Sequence, residues 1–94
     1  MNLVLTDSIT IPDDVLFREL DEEAVLLNLR TGVYFGLNSV GTRMWQLLAD
    51  RLSLARVLET MANEYDVDRG VLQEDLMELV RQLCAKGLGE IVSA

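Results

Sequence analysis

The chain has 94 residues, half of them hydrophobic, and a formal net charge of −8. This length predicts one domain over residues 1–94, and no apolar run approaches the roughly 18 residues of a membrane span. Acidic surfaces repel phosphate backbones, and the eight basic residues are scattered along the sequence, which argues against a nucleic-acid partner. The first ten residues contain no basic residue and lack the pattern of a secretory signal, so we expect a cytoplasmic protein.

Residue types that commonly carry catalysis or bind metals are scarce. The sequence has no His, which removes the usual general base and the commonest metal ligand, and its one Cys excludes an internal disulfide. That residue, Cys84, falls on the apolar flank of a predicted helix, where an inert buried thiol is the ordinary interpretation. Asp66 and Asp68 have the spacing of the start of a calcium loop, but the closing Glu is missing. We therefore predict no enzyme, no cofactor and no metal site.

The first part of the chain has the patterns of strands. Residues 24–30 alternate in the period of two that predicts a strand buried mainly on one side. Gly32 can take the positive φ of a tight hairpin and separates this segment from the next. The predicted strands are Val15–Leu20, residues 24–30, residues 33–37 and, from a weaker pattern, residues 3–11.

The second part of the chain predicts three helices. Asn38 or Ser39, then Ser53, then Asp68 can each cap a helix start. The apolar residues that follow these positions recur with the 3.6-residue period of amphipathic helices, and Gly87 is suited to a helix C-terminus. Together, the patterns predict an α+β fold of winged helix-turn-helix type, with a three-stranded antiparallel sheet followed by three helices.

The strand at residues 33–37 is a candidate binding edge. Val33, Phe35 and Leu37 share one face, and Tyr34 and Gly36 share the other. If sheet order follows the sequence, this strand lies at an edge, where its free N–H and C=O groups can pair with an added strand. Gly36 would allow a second backbone to approach closely. The alternative is that Tyr34 is an ordinary aromatic and Gly36 marks a bulge.

The last predicted helix has a wider apolar surface than a small core requires. At about 100° per residue, its main stripe falls within about 60°, while Met77, Val80 and Cys84 extend it to about 140°. These three residues are predicted to line a groove beside the third strand, or else to fill the core. Glu74, Glu78 and Arg81 lie on the opposite side, which is predicted to be solvated.

Two segments resemble the PqqD-like family of leader-recognition domains for ribosomally made peptides. The first is LNLRTGVYFGLNSVG over residues 27–41, followed by MWQLL over residues 44–48. The second is DVDR over residues 66–69, with DLMELVRQL over residues 75–83 and Gly87-Leu88 after it. The resemblance covers roughly residues 13–92 and is nearest to the stand-alone recognition proteins of lasso peptide clusters.

The resemblance implies that a precursor leader peptide adds as a strand to the third strand, beside the third helix. Backbone pairing to Tyr34, Phe35 and Gly36 would set its register, and the partners implied are a separate leader peptidase and an ATP-dependent cyclase. Asp75 matches a family position, and its role is open among capping, pairing with a leader cation and facing water. The predicted peptide-binding residues are Val33, Tyr34, Phe35, Gly36, Leu37, Gln73, Leu76, Met77, Val80 and Cys84.

Two other binding functions compete with this hypothesis. A winged-helix DNA-binding protein has the same fold class, but the candidate recognition helices carry mostly acidic residues beside Arg56 and Arg81. A generic scaffold that dimerises through the same edge strand remains open, since strand addition serves self-association as well as peptide capture.

Overall fold

The structure, a computed structural model, describes residues 3–93. In chain order its elements are β1 (Ser8–Thr10), β2 (Val15–Leu20), β3 (Glu23–Asn28), β4 (Tyr34–Leu37), α1 (Ser39–Ala49), α2 (Leu54–Glu64), α3 (Arg69–Ala85) and β5 (Glu90–Val92). The predicted three-stranded antiparallel sheet followed by three helices is confirmed. Within residues 3–93, no helix is both long and apolar enough to cross a membrane.

Each helix begins at a side chain that accepts hydrogen bonds from its first turn. The Asn38 side chain accepts from the Gly41 N–H at 2.8 Å and the Ser53 hydroxyl from the Arg56 N–H at 3.2 Å. Asp68 accepts from two N–H groups of the first turn of α3. Such caps satisfy donors that the helix itself leaves unpaired, and the predicted helix starts are confirmed, with Asn38 rather than Ser39 as the first cap.

The three-stranded sheet has the order β2-β3-β4, so β4 lies at an edge as predicted. Burial along β3 alternates with the predicted period of two, but the buried face is that of Ala24, Leu26 and Asn28. The more apolar set of the sequence pattern lies on the other face, where Val25 and Leu27 are half-buried and Leu29, just after the strand, is 57% exposed. The regular register from Ala24↔Leu37 to Leu27↔Tyr34 contains no bulge at Gly36. The alternative of a bulge is therefore wrong.

A second, two-stranded sheet joins the two ends of the described chain. β1 pairs antiparallel with β5, with Ile9 opposite Ile91. The strand predicted over residues 3–11 is thus confined to Ser8–Thr10, and β5 was not predicted at all. The winged helix-turn-helix description goes further than these elements do and stays a prediction.

Asn28 is a buried polar residue that joins the β3–β4 hairpin to the end of α3. It is 1% exposed, and its side-chain amide donates to the Gly87 carbonyl at 2.9 Å. Its side-chain oxygen accepts from the N–H groups of Arg30 and Thr31 in the hairpin loop. Because every polar atom of this side chain has a partner, its burial carries little penalty, and it fixes β4 relative to α3.

Candidate functional site

A groove of about 420 Å³ lies between the free edge of β4, the first turns of α1 and one flank of α3. Its walls are mostly apolar, with two carboxylates on the α3 side. The lining residues are Phe35, Gly36, Leu37, Asn38, Val40, Gly41, Met44, Tyr65, Val67, Leu72, Asp75, Glu78, Leu79 and Gln82. A concave, largely apolar groove with few polar groups is the usual form of a binding site.

The free edge of β4 presents the backbone groups of two residues. The Asn28 N–H donates to the Val33 carbonyl at 2.9 Å, which fixes the phase of the β3–β4 ladder. Hydrogen-bonded and non-hydrogen-bonded pairs alternate in antiparallel sheets, so Phe35 and Leu37 use their backbone groups toward β3. The N–H and C=O groups of Tyr34 and Gly36 therefore point away from the sheet.

This alternation corrects one part of the predicted register. Phe35 was expected to pair its backbone with the peptide together with Tyr34 and Gly36, but its backbone already pairs with Leu26 of β3. The Phe35 side chain instead lines the groove, while Tyr34 is 69% exposed on the outer face. No other heavy atom lies within 4 Å of the position that a Cβ atom would occupy at Gly36, so the outer side of the strand is open there.

The flank of α3 that faces β4 is the opposite of the predicted one. Asp75, Glu78, Leu79 and Gln82 line the groove. At about 100° per residue, these four residues lie on one side of Leu72, whereas Met77, Val80 and Cys84 lie on the other side. Glu78 in particular was assigned to a plain solvent face and lies at the groove.

The structure places the predicted α3 residues outside the groove. Leu76 and Val80 are both 0% exposed, because they pack in the hydrophobic core between α3 and the remaining elements. Met77 and Cys84 are half-buried against the same core, and Gln73 is exposed on the outer surface of α3. The prediction that Met77, Val80 and Cys84 line a groove beside the third strand is therefore wrong in its geometry.

The strand part of the predicted site lies at the groove. Phe35, Gly36 and Leu37 line it, whereas Tyr34 is exposed on the outer face of the sheet and Val33 directly precedes β4. Contact of any of these residues with a peptide stays a prediction.

Sequence reasoning missed the groove residues that lie outside β4 and α3. Val40 and Met44 come from α1, whereas Tyr65 and Val67 come from the segment between α2 and α3. Val67 is 46% exposed, so its side chain is accessible to an occupant of the groove. An apolar residue between two Asp residues was the one signal in the sequence that could have marked this end of the groove.

An ion pair fixes the wall of the groove that carries Tyr65. The Arg43 guanidinium donates two hydrogen bonds to the Glu64 carboxylate, at 2.8 and 2.7 Å. The hydrogen bonds from Arg43 lower the pKa of Glu64, and the same bonds raise the pKa of Arg43. The pair joins α1 to the last residue of α2 and so positions Tyr65, which follows directly.

The thiol of Cys84 is half-buried on α3, outside the groove. Burial, together with the negative charge of Glu90, raises the pKa of the Cys84 thiol, which makes it a poorer nucleophile at neutral pH. No cluster of potential metal ligands occurs within residues 3–93.

The outer face of the three-stranded sheet carries uncovered apolar side chains. Leu16, Leu20 and Tyr34 are 44%, 71% and 69% exposed, and Leu29, which follows β3, is 57% exposed. Leu16, Leu27 and Tyr34 form one row across the three strands. Contiguous exposed apolar surface on a small protein commonly marks an interaction site, and this surface is separate from the groove.

Comparison with known proteins assigns the chain to one protein family. The model of the family described as coenzyme PQQ synthesis protein D (PqqD) matches residues 23–88. No curated protein sequence matches the chain significantly.

Two solved structures are similar over most of their length. One shows TbiB1 in complex with the TbiA(beta) leader peptide; it is 41% identical, with a TM-score of 0.79, and the match covers 86% of this chain and 94% of that one. The other shows a lasso peptide synthetase B1 complexed with the leader peptide. It is 29% identical, also with a TM-score of 0.79, and the match covers 88% of this chain and 98% of that one.

Proposed function

Because this chain belongs to the PqqD family, we propose that it binds the leader segment of a ribosomally made lasso precursor peptide and catalyses no reaction itself. The observation that carries the proposal is the free edge of β4 beside an apolar groove. The two similar structures, which are both complexes with leader peptides, support the same function.

The backbone of the leader would pair with Tyr34 and Gly36. Each of these residues offers one N–H and one C=O at the free edge, so an added strand gains up to four main-chain hydrogen bonds. Main-chain pairing supplies affinity that depends little on the peptide's sequence. Selectivity must then come from side chains that enter the groove.

Alternate side chains of the added strand would point into the groove. Successive side chains of a strand point to opposite faces, so the peptide residue opposite Phe35 faces inward, as Phe35 does. There it would meet Met44 of α1 and Leu79 of α3, which line the groove. The residues on either side of it would lie on the outer face next to Tyr34.

Delivery to a leader peptidase and an ATP-dependent cyclase requires a second surface, which remains free when the groove is occupied. The outer face around Leu16 and Tyr34 meets this requirement, since it is apolar, uncovered and next to the bound strand. We propose that a partner enzyme contacts this face, and that the protein contributes local concentration and orientation rather than bond chemistry.

The test is fluorescence anisotropy with two labelled peptides, the TbiA(beta) leader and the leader of the precursor encoded with this protein. We expect a Kd in the micromolar range or tighter for at least one of them. Absence of binding by both peptides contradicts the proposal.

A substitution pair at Gly36 tests strand addition itself. Gly36→Pro removes an N–H that points to the free edge and leaves the β3 ladder intact. Pro is tolerated on edge strands where the N–H faces solvent. We expect affinity to fall at least tenfold, or about 1.4 kcal/mol. Gly36→Ala keeps the N–H and has space for its methyl group, so it is the matched control. Equal affinities for the two variants would exclude pairing at this edge.

A further inference from the structure

The charge of the groove points to one chemical feature of its occupant. Among the residues that line it, two are carboxylates, Asp75 and Glu78, and none is basic. The chain as a whole has a net charge of −8. A peptide in this groove therefore sits in a negative potential that arises from both nearby and distant groups.

The two carboxylates are poorly neutralised by the protein itself. The ion pairs within residues 3–93 join Arg43 to Glu64 and Arg81 to Glu78. The second has a separation of 3.7 Å between side chains that are more than half exposed, which makes it weak. Asp75 has no cationic partner in the described part of the chain.

We propose that the groove selects peptides in which a Lys or Arg lies two residues from a bulky apolar residue. This inference rests on the proposed function. The apolar residue faces Met44 and Leu79, and the next side chain on the same face of a strand lies two residues away, at about 6.6 to 6.8 Å. A cation there reaches the rim of the groove formed by Asp75 and Glu78.

The two carboxylates act as specificity-determining groups rather than as the main source of affinity. Exposed ion pairs contribute little individually, but like charges placed opposite each other are disfavoured. An acidic peptide residue at the same position would meet both Asp75 and Glu78 and would be rejected. The structure thus assigns to α3 the discrimination between basic and acidic segments.

The test is selection from a phage-displayed library of random twelve-residue peptides on three proteins. These are the wild-type chain, Asp75→Lys/Glu78→Lys, and the control Glu59→Lys/Glu74→Lys. Glu59 and Glu74 are exposed and lie outside the groove. Each change from carboxylate to Lys adds two charges, so both double variants move from −8 to −4. Circular dichroism verifies that all three proteins are folded.

We expect the wild-type chain and the control to enrich a basic residue two positions from a bulky apolar residue. The Asp75→Lys/Glu78→Lys variant should enrich acidic residues there and bind the wild-type selection at least about tenfold more weakly. The inference is overturned if peptides selected on the wild-type chain are not enriched in a basic residue at this position. It is also overturned if the two double variants show the same loss of this enrichment.

Failure of the proposed function gives a different result. In that case the library yields no binder, or its binders do not distinguish Gly36→Pro from Gly36→Ala. Binders that require the N–H of Gly36 but carry no basic residue would overturn the charge inference alone.

Discussion

One flank of α3 belongs to the core, and the other faces the groove beside β4. Leu76 and Val80 on the first flank are 0% exposed, whereas Asp75, Glu78 and Gln82 on the second flank border the groove. The contrast shows that the most apolar surface of this amphipathic helix packs into the core and is therefore not available for binding. What remains for binding is a flank with a polar rim and two apolar residues, Leu72 and Leu79, at its base.

Val80→Glu tests the core flank and should have the largest effect. A carboxylate at a fully buried position loses its hydration without gaining a partner, so we expect the free energy of unfolding to fall by more than about 3 kcal/mol. Urea denaturation followed by circular dichroism measures this change.

Gln82→Glu is the matched control for Val80→Glu, because it introduces the same side chain on the groove flank. It lies one turn from Glu78, and it replaces the hydrogen bond that the Gln82 amide donates to the Glu78 carboxylate at 3.0 Å by a repulsion between two carboxylates. This change should cost less than about 1 kcal/mol. If Val80→Glu is as stable as Gln82→Glu, the assignment of the two flanks is wrong.

Val67→Ser tests the end of the groove that the segment between α2 and α3 forms, where we expect a smaller effect that is confined to binding. Val67 is 46% exposed, so stability should hardly change, while the loss of apolar contact should weaken leader binding about three- to tenfold. Val71→Ser is the control, since Val71 is also 46% exposed but does not line the groove. Equal affinities of the two variants in anisotropy titrations would contradict the position of the groove.

Glu64→Gln tests the support of the groove wall and should cost under about 1 kcal/mol, because both partners of the ion pair are about a third exposed. Arg43 lowers the folded-state pKa of Glu64 below its ordinary value of 4.5. Ionised Glu64 therefore adds stability above pH 4.5, and this is lost as the pH falls through the lower folded-state pKa. Denaturation at pH 7 and pH 3 measures how far the free energy of unfolding falls in acid. This decrease should be smaller for Glu64→Gln than for the wild type, and an equal decrease would contradict a stabilising ion pair between Arg43 and Glu64.

Cys84 labelling should show no effect of the peptide at all. Cys84 lies on the core side of α3, away from the groove, and burial raises its thiol pKa. We expect maleimide to react slowly and at the same rate with and without saturating leader peptide, as followed by mass spectrometry. Slower labelling in the presence of the peptide would place the peptide near Cys84 and would contradict the proposed position of the binding groove.

The extent to which the sequence predicts this fold depends on how local each signal is. The caps Asn38, Ser53 and Asp68, the strand Val15–Leu20 and the edge position of β4 follow from local patterns and short connections. β5 was not predicted because three residues carry no usable period, and its partner β1 lies at the other end of the chain.

The candidate site was predicted on β4 and misplaced on α3 for a definite physical reason. Helical periodicity shows which residues of α3 are apolar, but it does not show on which side of that stripe a neighbouring strand lies. The apolar extension through Val80 and Cys84 was therefore assigned to the groove, while the real rim, with Asp75 and Glu78, had the composition of a solvated face.

The buried amide of Asn28 has a consequence for the kinetics of association. By donating to the Gly87 carbonyl, it joins the hairpin that carries β4 to the turn after α3, so the two walls of the groove are held together at one end. A groove that is already formed requires little rearrangement during an encounter, so the association rate should lie in the ordinary range of about 10⁵–10⁷ M⁻¹s⁻¹. Differences among peptides would then appear as differences in the lifetime of the complex.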